Sequence, residues 1–191
     1  MIKKTSVRKN KNDKITAVIN IPDTVSAVYN NKTLLIKGPN GEVSREFKHH
    51  GVGINVEDKK ILLEANRTTK ESKKTIGSLT AHIRGMIKGS QQAYVYKLKI
   101  CSGHFPMTVS ISNNMFIVKN FLGEKIPRTL QLKKGADIKV EGDIISITSA
   151  SKEIVGQMSA DIEQLTRRPG FDTRVFQDGC YIISKDGKEL K

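Results

Sequence analysis

Few residues in this 191-residue chain have the type and spacing to do chemistry. Cys101-x-x-His104 sets a thiol and an imidazole at metal-ligand spacing, but no second pair stands where it would complete a tetrahedral zinc site. His49-His50 and His82 read as surface or packing residues. Cys180 lies in an apolar run, where a thiol behaves as a small core side chain. Hydrolysis needs a nucleophile beside a base, or paired carboxylates in an apolar cleft. There is no G-x-S-x-G turn, no H-E-x-x-H pair and no P-loop, and the turn Gly38-Pro-Asn-Gly41 lacks the Lys and Ser/Thr that a phosphate cradle requires. No catalytic residue, metal site, cofactor or small-molecule substrate is nominated.

The cations are a stronger signal. Thirty-three Lys+Arg face 19 Asp+Glu, a net charge of +14, which predicts attraction to a polyanion. With no run of about 20 apolar residues a spanning helix is not expected, and the basic N-terminus lacks the apolar core of a secretory signal. Two cysteines suit a reducing compartment. At 5% aromatics, base-stacking platforms are scarce, which argues against an aromatic-sheet binder of single-stranded RNA. Dispersed Lys and Arg suit instead the recognition of folded RNA by backbone and shape, without a membrane partner. The charge is uneven: residues 59–88 and 97–139 are each strongly basic, whereas 140–166 carry Glu141, Asp143, Glu153, Asp161 and Glu163 against Lys152 alone.

The elements that must position these cations recur along the chain. Residues 1–14 are polar, basic and aperiodic, and read as a disordered arm. Ile15, Ala17 and Ile19 alternate as in a strand; short β-rich runs follow at 25–29, 33–37 and 42–47, then a hairpin at 53–57 and 60–64. Thr68-x-x-Glu71 fits a capping box, and Ile76, Leu79, Ile83, Met86 and Ile87 form one helical stripe with Gly89 as its stop. The basic flank of that helix is either solvated surface or a phosphate contact. A second strand set follows, with a hairpin at 137–141 and 144–148. Ser151 opens a second helix striped by Ile154, Val155, Met158, Ile162 and Leu165. Residues 175–183 read as a strand or hook around Asp178-Gly179.

Landmarks repeat at a drifting offset, as a duplicated domain with small loop insertions would leave them: Pro22 and Pro106, Gly41-Glu42 and Gly123-Glu124, Val56-Glu57 and Val140-Glu141, Ile76-Gly77 and Val155-Gly156. The expected fold class is α+β, with two duplicated domains, each an antiparallel sheet carrying one amphipathic helix. The expected boundaries are a basic arm at 1–14, a first repeat at 15–89, a second with its C-terminal hook at 90–184, and a mobile tail at 185–191.

Three stretches carry a resemblance: Ile36-Lys-Gly-Pro-Asn-Gly41; His104-Phe-Pro106 with Asn120-Phe-Leu-Gly-Glu-Lys125; and Val155-Gly-Gln157, Ile162-Glu-Gln164 and Val175-Phe-Gln-Asp-Gly179. Together they resemble the universal large-subunit ribosomal protein six family in its archaeal–eukaryotic branch, called protein nine in eukaryotes, over about residues 15 to 184. The resemblance implies two similar α+β domains, no catalysis and a structural place in the cytoplasmic large ribosomal subunit. It implies binding of large-subunit ribosomal RNA, mainly by the second domain, near the sarcin–ricin stem and the landing site of translation GTPases, among neighbouring ribosomal proteins. Carried over by position, the RNA contacts would be His104, Lys119, Asn120, Lys125 and Arg128, with Arg167, Arg168 and Arg174 at the helix exit and Gly123 allowing tight backbone passage. Pro169-Gly-Phe-Asp-Thr173 is less basic than this branch leads one to expect, and the arm at 1–14 is longer. A free-standing assembly factor built on the same unit, or an RNA-processing enzyme, are the alternative readings.

Overall fold

Alternation and helical periodicity give the elements their buried faces. The computed structural model describes residues 7–9, 14–48, 51–57 and 59–190; His49 and His50 lie outside them. The chain divides into two compact units between Ala93 and Tyr94.

The first unit contains β1 (Val7–Lys9), β2 (Ile15–Asn20), β3 (Ser26–Asn30), β4 (Thr33–Gly38), β5 (Gly41–Glu46), β6 (Val52–Glu57), β7 (Lys60–Ala65) and α1 (Lys70–Gln91). Its strands form two antiparallel sheets rather than one, ordered β1-β2-β7-β6 and β3-β4-β5. Every second residue of β2 and β7 points inward, burying Ile15, Ala17 and Ile19 beside Ile61, Leu63 and Ala65. Against them α1 sets Ile76, Leu79, Ile83, Met86 and Ile87. Of the arm at 1–14, residues 1–6 and 10–13 lie outside the described residues, and Val7↔Ala17 to Lys9↔Ile15 pair β1 to β2. A three-residue edge strand leaves no periodic signal, so only its partner reveals it.

Two details of α1 differ from expectation. Thr69, not Thr68, is the cap: its hydroxyl accepts from the Ser72 amide at 3.1 Å, leaving Glu71 in the first turn near the positive helix end. Gly89 does not end the helix, which runs to Gln91. The turn between β4 and β5 docks there instead. Asn40 donates its amide to Ser90 O at 2.9 Å and its side chain to Gly89 O at 3.5 Å, satisfying carbonyls that a helix end leaves open. A Cβ at Gly38 would stand 2.5 Å from Ser90 O, so only glycine permits this approach.

The second unit contains β8 (Tyr94–Cys101), β9 (Thr108–Ser112), β10 (Met115–Lys119), β11 (Arg128–Gln131), β12 (Asp137–Glu141), β13 (Ile144–Ser149), α2 (Lys152–Leu165), β14 (Gly179–Lys185) and β15 (Lys188–Glu189). Its antiparallel sheets are β12-β13-β8-β14-β15 and β11-β10-β9. Leu98, Phe116, Val118, Ile145, Ile147 and Cys180 enclose the inner face of α2, where Val155, Met158 and Ile162 lie. Burial pushes the Cys180 thiol up to about 12, so it is a core group and not a nucleophile. Ser151 occupies the cap position of α2 without a side-chain cap bond; its amide donates to Ser149 Oγ at 3.2 Å. Of the segment 185–191, expected to be mobile, the described residues 185–190 turn at Asp186-Gly187 into β15, which pairs Lys188 with Lys185 and Glu189 with Ser184. The expected hook is strand only from Gly179 onward; ahead of it, the amides of Val175 and Phe176 both donate to Asp172 O.

Candidate nucleic-acid interface

Three loops of the second unit meet where α2 ends. One leaves β8 and carries Gly103, His104, Phe105 and Pro106. Another joins β10 to β11 through a short 3-10 turn, Phe121–Gly123. The last leads from α2 to β14. No regular ladder connects them, so side chains must do so.

Asp178 makes the main connection. Its carboxylate is 3% exposed and accepts from the Gly103 amide at 2.7 Å, the His104 amide at 3.0 Å and His104 Nδ1 at 2.5 Å. Burial pushes this carboxyl up, but the bonds from His104 and Gly103 outweigh it and hold it below the usual carboxylate range. The His104 ring in turn stacks on Phe176 with centroids 4.9 Å apart, and Phe171 meets Phe176 edge-on at 4.8 Å. His104 is therefore clamped in place, with its side chain still 38% exposed.

The second loop is fastened at both ends. Asn120 adopts a left-handed conformation (φ 59°) and donates its side-chain amide to Pro106 O at 2.9 Å. Leu122 (φ 48°) and Gly123 (φ 78°) also lie in the left-handed region, which costs a side-chain-bearing residue roughly 1–2 kcal/mol. Gly123 answers that backbone demand, and within the chain a Cβ there would sit an ordinary 3.8 Å from the Phe105 ring. Beyond the turn, Arg128 grips Glu124 with two bonds of 2.8 and 2.7 Å and donates Nη1 to Leu165 O at 2.6 Å and to Arg167 O at 3.2 Å. Its guanidinium also lies 4.4 Å over the Phe121 ring. The hydrogen bonds of Arg128 hold the Glu124 carboxyl below its usual range.

Arg128, expected among the RNA contacts, thus turns its guanidinium to the protein. Four of its five N–H groups are engaged internally, so its position is that of a cap on the negative end of α2. Arg168 lies 4.3 Å over the Phe171 ring, with Arg167 exposed beside it. Lys125 and Arg174 are exposed on the same loops, and Lys119 is exposed at the end of β10, where the second loop begins. Arg174 sits in the turn that Asp172 closes by accepting its amide at 2.9 Å. The geometry therefore ties His104, Asn120, Gly123, Arg128 and Arg168 into one fastened cluster and sets Lys119, Lys125, Arg167 and Arg174 outward from it.

Sequence reasoning missed the parts played by Asp178, Phe171 and Phe176. An Asp before Gly reads as a turn residue, and no local pattern announces that its carboxylate is buried against a loop 74 residues away. Among the described residues no group of three or more His, Cys, Asp or Glu could hold a metal, and no helix is long and apolar enough to cross a membrane. The arrangement can present cations and amides from preset loops to an anionic, shaped surface.

Comparison with known proteins points the same way. The family model described as Ribosomal protein L6 matches twice, at residues 21–93 and 105–179, once in each unit. The large ribosomal subunit protein uL6 of Methanobrevibacter smithii is 44% identical over 168 residues, covering 88% of this chain and 94% of its own length. Those of Methanococcus vannielii and Haloquadratum walsbyi are 41% and 38% identical, over 90% and 87% of this chain and 94% of each relative.

Proposed function

Because the chain belongs to the ribosomal protein L6 family, on its archaeal branch, we propose that it is a structural constituent of the large ribosomal subunit, in the cytoplasm. It binds ribosomal RNA through the loop cluster at the end of α2. The observation that carries this reading is that the three loops are fastened by groups other than their exposed cations: Asp178 holds Gly103 and His104, Asn120 holds Pro106, and Arg128 holds Glu124 and the end of α2, leaving Lys119, Lys125, Arg167 and Arg174 exposed. Fixed loops lose little entropy on binding, so their charge goes to phosphate neutralisation. The finer placement, beside the sarcin–ricin stem, near translation GTPases and among neighbouring ribosomal proteins, rests on the family resemblance.

Gradient sedimentation of cell lysate, before and after a high-salt wash, tests the reading. The chain should stay with mature large subunits at about one copy each, because shape-matched contacts made by fixed loops persist when salt weakens the phosphate contacts. Occupancy of precursor particles alone would make it an assembly factor, and sedimentation only in light fractions would remove it from the ribosome.

A further inference from the structure

The chain holds only six Phe and four Tyr, yet three of these rings, Phe171, Phe176 and Tyr181, line one cavity of about 430 Å³ at the exit of α2. Arg167, Arg168 and Gln164 line it as well. That volume falls in the small-ligand range, roughly 300–1,000 Å³. Phe171 and Tyr181 remain 38% and 39% exposed, more than a ring serving only as core would be. The walls are preset: His104 stacks on Phe176, Phe171 meets it edge-on, and Arg168 covers one side of Phe171.

Charge decides between occupants. Both carboxylates on the cavity wall are turned to the protein, Asp178 to the 103–104 amides and Glu163 to the Ile182 amide at 3.3 Å. The carbonyls at the negative end of α2 are covered by Arg128. Arg167 and Arg168 are left to set the sign of the cavity, and they favour an anion. Rings and cations lining the same cavity match a nucleotide better than an apolar peptide side chain. We propose that this cavity takes one unpaired nucleotide of the bound RNA, its base against Phe171 and Tyr181 and its phosphate at Arg167 and Arg168. The proposal rests on the ribosomal RNA reading and adds a base-recognition point to it.

Short-wave ultraviolet crosslinking of salt-washed large subunits, followed by mass spectrometry of the full chain, tests it. A nucleotide attached at Phe171 or Tyr181 is expected, mapping to a base that chemical probing finds unpaired. Phe171→Ala, an exposed change, should weaken RNA affinity roughly 5- to 150-fold with the salt slope unchanged. Arg168→Ala should instead flatten that slope by about one phosphate contact. Crosslinks elsewhere on a subunit-bound chain, or at these rings to another protein, would overturn the cavity assignment and leave the ribosomal reading standing. So would unchanged affinity in Phe171→Ala. Absence of the wild-type chain from large subunits would overturn both.

Discussion

In the first unit the strand beside β2 precedes it, at Val7–Lys9; in the second the strand beside β8 comes long after it, at Gly179–Lys185. Otherwise the two larger sheets run in the same order, β1-β2-β7-β6 against β14-β8-β13-β12. The place in the sheet is the same, but reaching it from behind requires a connection from α2 back to β14. That connection carries Arg167, Arg168, Phe171, Arg174, Phe176 and Asp178. A second contrast lies at the helix ends. In the first unit a glycine-bearing turn lays Asn40 on the last carbonyls of α1; in the second a longer loop reaches the last carbonyls of α2 through Arg128. The shared parts make the fold, and the candidate site lies where the copies differ.

Substitutions that strike one copy and spare the other would sharpen that contrast. The largest effect should come from Asp178→Ala, which strands two amides and an imidazole that now share a buried carboxylate, at a cost of about 3 kcal/mol. Native-state hydrogen exchange should show β8 and β14 opening while β2 and β7 keep their protection; equal loosening of both units would erase the distinction. Acid should act the same way. Asp178 is held below its ordinary value, so its stabilisation is present above the unfolded carboxylate pKa, about 3.9, and is lost as pH falls through the lower folded value. Below about pH 4 the second unit should loosen first, because among the described residues of the first the shifted carboxylate, Asp23, sits in a surface pair with Lys59.

Gly38→Ala comes next, in the opposite copy. Its Cβ meets backbone, not a movable side chain, so about 2–3 kcal/mol should be lost from the first unit alone, seen as a lower urea midpoint for that unit. Arg128→Ala should cost the second unit about 1–2 kcal/mol, and Arg128→Lys should restore little of it, since one ammonium cannot grip Glu124 with two bonds and cap α2 as well. The smallest stability change, under about 0.5 kcal/mol, belongs to Lys125→Ala. In RNA titrations over a salt series that variant should nonetheless flatten the slope by about one contact. An unchanged slope would take Lys125 out of the interface.

Much of this fold was legible because burial writes itself into period. Ile15, Ala17 and Ile19 announce β2; 137–141 and 144–148 announce a hairpin; and the stripe of α1 was readable residue by residue. What escaped was decided by partners distant in sequence. Nothing in Val7-Arg-Lys9 or Lys188-Glu189 marks a strand until its neighbour is present, and the length of α1 depends on a turn some fifty residues earlier. The site divided along the same line. Residue type and resemblance picked out the loops that carry the cations, but charge alone does not say whether an arginine faces solvent or, like Arg128, a helix end. Two sheets per unit in place of one likewise follow from where β3 to β5 and β9 to β11 turn away, which period does not encode.

The late arrival of β14 also bears on timing. A chain emerging from N to C terminus presents every strand and the helix of the first unit by Gln91, so that unit can close while synthesis continues. In the second, β8 has β13 by residue 149 but waits for its other neighbour until residues 179–185 are made, and the His104 loop waits for Asp178. A nascent chain interrupted before that point would carry the cations but not the clamp that aims them. The site is finished only once Asp178 and β14 have been made.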